Sequence, residues 1–282
     1  AANTTSPVSG YWGGIIINGK APISGQSADK SDTGLTEIDN SFKYGGNVDD
    51  DNSGSLTYVQ ICYAGARSTA DIEHNGLTLN GVGSGTKIEN IYVLESADDA
   101  IEFFGGTVNV TNLLAVNPDD DMFDFTQGYS GTLKNCYGVW ENGYTSTEAD
   151  PRGIEADGNL DGLYPTHLRQ SDFRVENMTI VNNAADKADN VDRMQDVIKI
   201  RRGAKAAIVN ALVKGTGGSI DLIDMSDSKG AGNADSSVSI TNSLNLTGKK
   251  LNGTLNTFAE PAGNIGTDVS LFTWTGYNFS SL

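Results

Sequence analysis

The phrase Ile88-Glu-Asn-Ile-Tyr-Val93 decides the fold, because its pattern of an asparagine set between apolar residues returns along most of the chain. The phrase begins again at Val110, Leu133, Val175, Ile208 and Ile240. Its asparagines are Asn90, Asn112, Asn135, Asn177, Asn210 and Asn242. The steps between them are 22, 23, 42, 33 and 32 residues, so a short coil carries insertions of varied length. Self-similarity of this kind indicates a solenoid whose coils contact only their neighbours.

A second repeated phrase sets the register of the coils. Glu102 and Asp124 each lie 12 residues beyond their asparagine, in the alternating segments Ile101-Glu-Phe103 and Phe123-Asp-Phe125. Alternation turns the apolar residues inward and the carboxylates outward. We therefore predict an all-β chain, folded as one right-handed parallel β-helix of about 22-residue coils with loop insertions. Residues 1–53 would form an amino-terminal edge with loops, residues 54–248 the coils, and residues 249–282 a carboxy-terminal cap.

Asparagine at a repeated bend predicts a ladder, because each amide can bond its own turn and the amide of the next coil. An earlier copy of the phrase, Tyr58-Val-Gln-Ile-Cys-Tyr63, would place Gln60 in the asparagine column. The same alternation puts Cys136 inward and Cys62 outward on different coils. Their side chains cannot meet the geometry of a disulfide, so we predict two free thiols.

The charge of the chain restricts its partners. The formal net charge is -17 and the isoelectric point is near 4.3. Such a surface repels phosphate backbones and anionic lipids, so binding to nucleic acid or to a membrane surface is not expected. No stretch of about 18 apolar residues is present, and no membrane span is expected. Acidic surfaces serve solubility, or they bind calcium or face sugars.

Several glycine-rich and acidic phrases extend the pattern to a known family. They are Trp12-Gly-Gly-Ile-Ile-Ile-Asn-Gly-Lys-Ala-Pro22, Asp98-Asp-Ala-Ile-Glu-Phe-Phe-Gly-Gly106 and Asp119-Asp-Asp-Met-Phe-Asp-Phe125. Together they resemble a family of uncharacterised bacterial β-helix proteins with a pectate-lyase-like fold, secreted or attached to the surface of marine and gut bacteria. The resemblance implies the fold and a place outside the cytoplasm, and it implies no reaction. Members usually carry extra coils before the Trp-Gly-Gly segment, so we expect residues 1–10, removed sequence or a partner to cover that end.

Oxygen-bearing residues at alternate positions suggest calcium in three places. Two are loops that end in glycine, with ligands Asp49, Asp51 and Ser53 in the first and Asp157, Asn159 and Asp161 in the second. The third is the stacked pair Asp99 and Asp121, which occupies equal places on adjacent coils. Neither loop completes an EF-hand, because Gln60 and Leu168 stand where that loop has glutamate. Plain acidic turns and solvated carboxylates are the alternatives.

The insertion at 141–171 has the composition of a binding loop. With the tryptophan that precedes it, it predicts a glycan site made of Trp140, Tyr144, Arg152 and Tyr164. Alternatively, the insertion is a surface loop of the coil with no binding role. Catalytic sets are incomplete, since the chain holds only His74 and His167 and the candidate bases for a lyase are Arg152, Lys199 and Arg201.

These observations favour a non-catalytic extracellular or cell-surface protein with a structural or adhesive role. We expect it to associate end to end with its own copies and to be stabilised by calcium. A calcium-dependent polysaccharide lyase or glycoside hydrolase is one alternative, and a glycan-binding module without turnover is the other. Product release from a panel of polysaccharides would separate the enzyme from the binding module.

Overall fold

The computed structural model describes residues 8–25, 32–67, 74–185 and 193–282, and strands account for most of its regular structure. Strands β1 to β9 are Ile15–Asn18, Thr33–Leu35, Lys43–Gly45, Ser55–Cys62, Leu77–Asn80, Lys87–Leu94, Ile101–Phe104, Val110–Val116 and Phe123–Thr126. Strands β10 to β18 are Thr132–Trp140, Ile154–Ala156, Asp172–Asn182, Met194–Lys199, Lys205–Lys214, Gly218–Asp224, Ser237–Asn242, Asn245–Leu246 and Thr257–Ala259. Short 3₁₀ helices span Leu160–Gly162, Val269–Thr275 and Phe279–Ser281.

The chain alternates between two parallel sheets of eight strands. Sheet 1 has the order β1-β5-β7-β9-β11-β13-β15-β17, and sheet 2 runs β4-β6-β8-β10-β12-β14-β16-β18. Each coil therefore contributes one strand to each sheet, and every pairing within the two sheets is parallel. The predicted right-handed parallel β-helix is confirmed. An antiparallel hairpin, β2–β3, is inserted between β1 and β4.

Like residues stack in the interior, as the alternation predicts. Phe103 packs on Phe125 with ring centroids 5.1 Å apart, and Phe125 packs on Phe173 at 4.1 Å. All three rings are almost fully buried. Cys136 is buried and Cys62 partly exposed, and both thiols are free, which confirms that prediction.

The asparagine ladder runs through five coils of sheet 2. Each side-chain Nδ2 donates to the Oδ1 of the preceding asparagine, at 2.9 Å from Asn112 and Asn135 and at 2.8 Å from Asn177 and Asn210. All five residues have a left-handed backbone, with φ between 54° and 59°. Asparagine tolerates this conformation better than other non-glycine residues, so the ladder also bends each strand.

Two residues assigned to the ladder column lie outside it. Asn242 pairs with Val213, because β16 has one residue fewer than β14 at the bend, and its amide bonds the backbone of Leu244. At the other end, Tyr58 has the left-handed φ of 56° and stands opposite Asn90, whereas Gln60 pairs with Tyr92. Both predictions are wrong: β16 is one residue shorter than β14 at the bend, which moves Asn242 out of the column. The strands β4 and β6 pair in continuous register, so the bend of the first coil falls at Tyr58, two residues before Gln60.

The predicted carboxy-terminal cap, residues 249–282, has two parts: the segment before residue 264 contains β18, the last strand of sheet 2, and the remainder forms a strap. We define the C-terminal strap as residues 264–282. It begins beside β14, where Ile265 N donates to Asn210 Oδ1 at 2.9 Å, and it runs back across the outer face of sheet 2 to the first coil. There the Trp274 ring meets Tyr58 edge-on at 5.4 Å. Phe272 is fully buried against the apolar outer side chains of sheet 2, so the strap ties distant coils together.

Candidate functional site

A pocket of about 420 Å³ opens on the outer face of sheet 1. The strands of sheet 1 form its floor, the β2–β3 hairpin and its loop form one wall, and the 3₁₀ helix Leu160–Gly162 lies at the other side. Its lining combines carboxylate, amide, hydroxyl and apolar side chains, which include Leu35, Thr36, Ile38, Tyr44, Asn75, Thr78, Asn80, Glu102, Phe104, Asp124, Thr126, Glu155, Asp157, Leu160 and Arg201. We call it the acidic pocket.

The register of sheet 1 stacks carboxylates on the pocket floor. Thr78 pairs with Glu102, Glu102 with Asp124, and Asp124 with Glu155, so one outward column carries an acid on three successive coils. Adjacent strands of a sheet are about 4.8 Å apart, which holds these side chains next to one another. Asp99 stands near this column, and single carboxylate oxygens of Asp99, Glu102 and Asp124 all lie within 4.8 Å of one another.

Burial and mutual repulsion make these groups hard to ionise. Burial raises the pKa of Asp99, Glu102 and Asp124 well above its usual range, and neighbouring carboxylates raise it further. Burial likewise raises the pKa of Asp121 well above its usual range, with Arg152 acting in the opposite direction. Without a compensating cation, this part of the pocket therefore holds protons at pH values where ordinary carboxylates have lost them.

Arginines neutralise the neighbouring coil. Glu155 forms ion pairs with Arg152 and Arg201, and Arg201 Nε also donates to Asp157 Oδ1 at 2.7 Å. Arg202 reaches the second oxygen of Asp157 at 2.5 Å. The floor of the pocket thus changes from Glu102 and Asp124, which form no ion pair among the described residues, to paired charges on the coil of β11.

The same contacts correct one of the three calcium predictions. Both carboxylate oxygens of Asp157 accept hydrogen bonds from arginines. Asn159 Oδ1 accepts the Tyr164 backbone N–H at 2.8 Å, and Asp161 has a side chain that is 65% exposed. The oxygens that would ligate calcium serve instead to brace the loop. The prediction for Asp157, Asn159 and Asp161 is wrong.

The other predicted metal residues have separate positions. In the first loop, the Ser53 hydroxyl donates to Asp51 Oδ2 at 2.8 Å, while Asp49 is exposed and lies 3.6 Å from Arg169. None of these three residues lines the acidic pocket, and the calcium of this loop stays a prediction. Asp99 joins the cluster. Asp121 sits beside it and accepts the Arg152 backbone N–H at 2.6 Å.

The predicted glycan residues do not form one site. Trp140 is 1% exposed and its indole N–H donates to the Pro118 carbonyl oxygen at 3.0 Å, so the prediction that it stacks on a sugar is wrong. The Tyr144 hydroxyl donates to the same carbonyl at 2.9 Å. Arg152 is buried among the carboxylates beside the pocket, and Tyr164 lies in the loop braced by Asn159.

The sequence repeat predicted some of the pocket residues but not others. Glu102 and Asp124 were visible as equal positions on adjacent coils. Asn75 and Tyr44 belong to no repeated phrase, yet both are almost fully buried in the pocket wall. The Tyr44 hydroxyl donates to Gln127 Oε1 at 2.6 Å, which attaches the hairpin to the coils.

The fold and this site define a parallel β-helix with an acidic pocket on one sheet. The sequence model of one family, described as pectate-lyase like beta helix domain, matches residues 1–274. The chain belongs to that family. No match was found among the curated proteins or among the solved structures. In the described part of the chain, no helix is long and apolar enough to cross a membrane.

Proposed function

We propose that the protein is an extracellular, non-catalytic β-helix that binds a polysaccharide in the acidic pocket and serves a structural or adhesive role. The observation that carries this proposal is the pocket itself, a concave site of about 420 Å³ on the outer face of a regular sheet. Ligand pockets commonly measure roughly 300 to 1,000 Å³. A site of this size accommodates a short stretch of a glycan chain.

The lining suits a sugar. Thr36 and Thr78 offer hydroxyl groups, Asn75 and Asn80 offer amides, and the carboxylates accept hydrogen bonds from sugar hydroxyls. Leu35, Ile38 and Phe104 add apolar surface that can cover the C–H faces of a ring. This combination of a few polar groups with apolar walls is typical of small-molecule sites.

Hydrolysis is the second candidate, and the pairing of Glu102 with Asp124 favours it. Their carboxylate oxygens lie within 4.8 Å, close to the separation of about 5 to 5.5 Å found in retaining glycosidases. Burial raises the pKa of both groups, and the charge of Asp124 raises that of Glu102 further, so one carboxyl group can stay protonated as the acid while its neighbour is ionised. Turnover would require a glycosidic oxygen to reach that pair.

Binding and turnover are measured on the same samples. Isothermal titration with neutral, uronate-containing and amino-sugar polysaccharides should show saturable binding to at least one class. Isosteric Glu102→Gln should weaken that binding by roughly tenfold. Glu89→Gln changes a partly exposed side chain on sheet 2, away from the pocket, and should leave that binding unchanged. Equal binding by both variants, or no binding to any glycan, overturns the proposal.

Reducing-end release from the bound polysaccharide separates the two candidates. The non-catalytic protein leaves the polymer intact. If sugar ends appear and both Glu102→Gln and Asp124→Asn abolish them, the hydrolase replaces the binding module. An unchanged rate in these variants assigns the activity to a contaminant.

Two further parts of the proposal concern assembly and location. Strands β1 and β4 lie at the outer edges of the two sheets, and an edge strand can pair with another chain. End-to-end association of copies follows from that edge, and light scattering over a range of protein concentration tests it. A net charge of -17 and a repeat built of short polar turns support a location outside the cytoplasm, which fractionation of the source cells tests.

A further inference from the structure

We propose that Asp99, Glu102 and Asp124 hold one divalent cation of the calcium type, with the side-chain oxygen of Asn75 as a neutral ligand. The inference goes beyond polysaccharide binding, because the cation would bind with no glycan present. It also differs from the two loop sites that the sequence suggested, and it shares only Asp99 with the stacked pair Asp99 and Asp121.

The spacing of the carboxylates fits a single ion. One oxygen from each of the three residues lies within 4.8 Å of the other two. Calcium takes oxygen ligands at about 2.3 to 2.6 Å, so oxygens on opposite sides of an ion are roughly 4.6 to 5.2 Å apart. The parallel register of β7 and β9 holds Glu102 next to Asp124 before any ion arrives.

Asn75 supplies the independent observation. Its side chain is 97% buried, since only 3% is exposed, and it lines the same pocket as Glu102 and Asp124. Its Nδ2 donates to Glu102 Oε2 at 2.6 Å, which fixes the amide beside the cluster. Its Oδ1 accepts no hydrogen bond from the described residues. A buried acceptor left without a donor is costly, and a cation in the pocket would satisfy it.

Asp124 repeats that observation. One of its carboxylate oxygens, Oδ1, is buried and has no hydrogen-bond donor within the described ranges. The groups whose charges act on Glu102 are Asp124, Glu37 and Asp98, and all of them are acidic. On Asp124 the negative charges of Glu155, Asp157 and Asp120 act against the single positive charge of Arg201. Carboxylate oxygens without a donor, among neighbours that are mostly acidic, favour a cation as ligand rather than an anion.

A second group in the same sheet shows what happens when the chain supplies its own cation. Carboxylate oxygens of Asp196, Asp221 and Asp224 also lie within 4.8 Å of one another. There the Lys199 ammonium forms ion pairs with Asp224 and, at 3.8 Å, with Asp196. An ammonium group thus occupies the place of the ion. The first group has no lysine or arginine in an ion pair with Asp99, Glu102 or Asp124 in the part of the chain described.

The test uses the full-length chain, stripped with a chelator, and calcium chloride alone at neutral pH. We expect calorimetric titration to give one saturable site and calcium to raise the melting temperature. Magnesium should bind more weakly, because it requires a smaller and stricter octahedral site. No heat and no shift with the wild-type chain overturns the proposal.

Matched variants locate the ion. Asp124→Asn and Glu102→Gln should each weaken calcium binding by roughly tenfold or more, because each removes a charged ligand. Asp221→Asn makes the same change in the group that Lys199 fills, and it should leave calcium binding as it is. A loss in Asp221→Asn equal to that in Asp124→Asn places the ion elsewhere and overturns the assignment.

If the ligand variants fail to fold, terbium luminescence of the wild-type chain tests the site instead. Terbium replaces calcium in oxygen sites, and Tyr44 in the pocket wall can sensitise its luminescence. Emission that calcium competes away, and that Tyr44→Phe reduces, supports the site. Emission that Tyr44→Phe does not change overturns it. Since no glycan is present, this result stands apart from the outcome of the polysaccharide experiments.

Discussion

The two sheets of the β-helix stack like residues in the same way, with opposite electrostatic results. On sheet 2, each ladder amide from Asn112 to Asn210 donates to the amide of the coil before it. On sheet 1, Glu102 and Asp124 place two carboxylates side by side. An amide carries both a donor and an acceptor, so a column of amides bonds itself. An ionised carboxylate only accepts, so a column of carboxylates repels itself until a proton or cation joins it.

This difference separates a scaffold from a site. The self-bonding column satisfies its own amides, and at its last coil Asn210 also bonds the C-terminal strap. The self-repelling column lines an open pocket. A repeated side chain therefore stabilises the solenoid where it can hydrogen-bond to its own copies. Where the copies repel one another, as carboxylates do, a proton or a bound cation is needed to stabilise them.

The largest effect should come from the strap that covers the ladder face. Phe272→Ala removes a fully buried ring from between the strap and sheet 2, and core Phe→Ala changes cost about 3 to 5 kcal/mol. Urea unfolding should show that loss. Phe42→Ala, at a residue that is 57% exposed, serves as the control and should change stability by less than about 0.5 kcal/mol. Equal losses would mean that the strap does not support the coils.

A ladder variant should have the next largest effect. Asn135→Ala breaks the bonds to Asn112 and Asn177 and puts alanine at φ 56°. We expect a loss of about 2 to 4 kcal/mol in the free energy of unfolding.

Two substitutions sharpen that result. Asn135→Gly keeps the left-handed backbone and loses only the amide, so it should recover part of the loss. Asn242→Ala changes the asparagine that lies outside the ladder, and its cost should be about 1 kcal/mol, the net contribution of an ordinary hydrogen bond. A loss in Asn242→Ala as large as that in Asn135→Ala would contradict the five-residue ladder.

The acidic column should respond to pH in the opposite sense from an ordinary ion pair. Burial and repulsion raise the folded-state pKa of Glu102 and Asp124, so the folded chain holds protons that the unfolded chain releases above about pH 4. Their contribution to stability is present below that pH and is lost as the pH rises. In buffer that contains a chelator, the free energy of unfolding of Asp124→Asn should increase relative to that of the wild type as the pH rises, by on the order of 1 kcal/mol. A constant difference between the two unfolding curves would contradict the repulsion.

The smallest effect belongs to the loop in which arginines already neutralise the acid. Asp161→Asn changes an exposed carboxylate that lies 3.7 Å from Arg202, so it should alter stability by less than about 0.5 kcal/mol. The calcium-induced shift in melting temperature should equal that of the wild type. A reduced shift would restore the calcium site that the loop spacing suggested.

The sequence predicted most of the scaffold, because backbone pairing and burial repeat with the coil. The repeated asparagines from Asn90 to Asn210 predicted the ladder. The 12-residue step to Glu102 and Asp124 predicted the outward column of sheet 1. One error lies where two coils differ in length. Asn242 fits the phrase, but a missing residue in β16 removes it from the column.

Much of the candidate site could not be predicted, because its residues meet only after folding. Trp140 stands before a polar insertion and looks like an exposed platform, yet its strand turns it inward. Asn75 and Tyr44 come from separate insertions, and no period relates them to the acids. Arg201 and Arg202 lie more than 40 residues from Asp157, and only the coil geometry shows that they neutralise it.

By itself, the sequence determined the class of fold, the course of the coils and the identity of the stacked groups, because these depend on periodic burial and on local bends that recur with the repeat. Only the tertiary structure decided which stacked groups are compensated. That outcome depends on the distances between side chains from remote coils and loops, such as Lys199 within one acidic group and Asn75 beside the other. Electrostatic interactions act through those distances, and a one-dimensional period does not contain them.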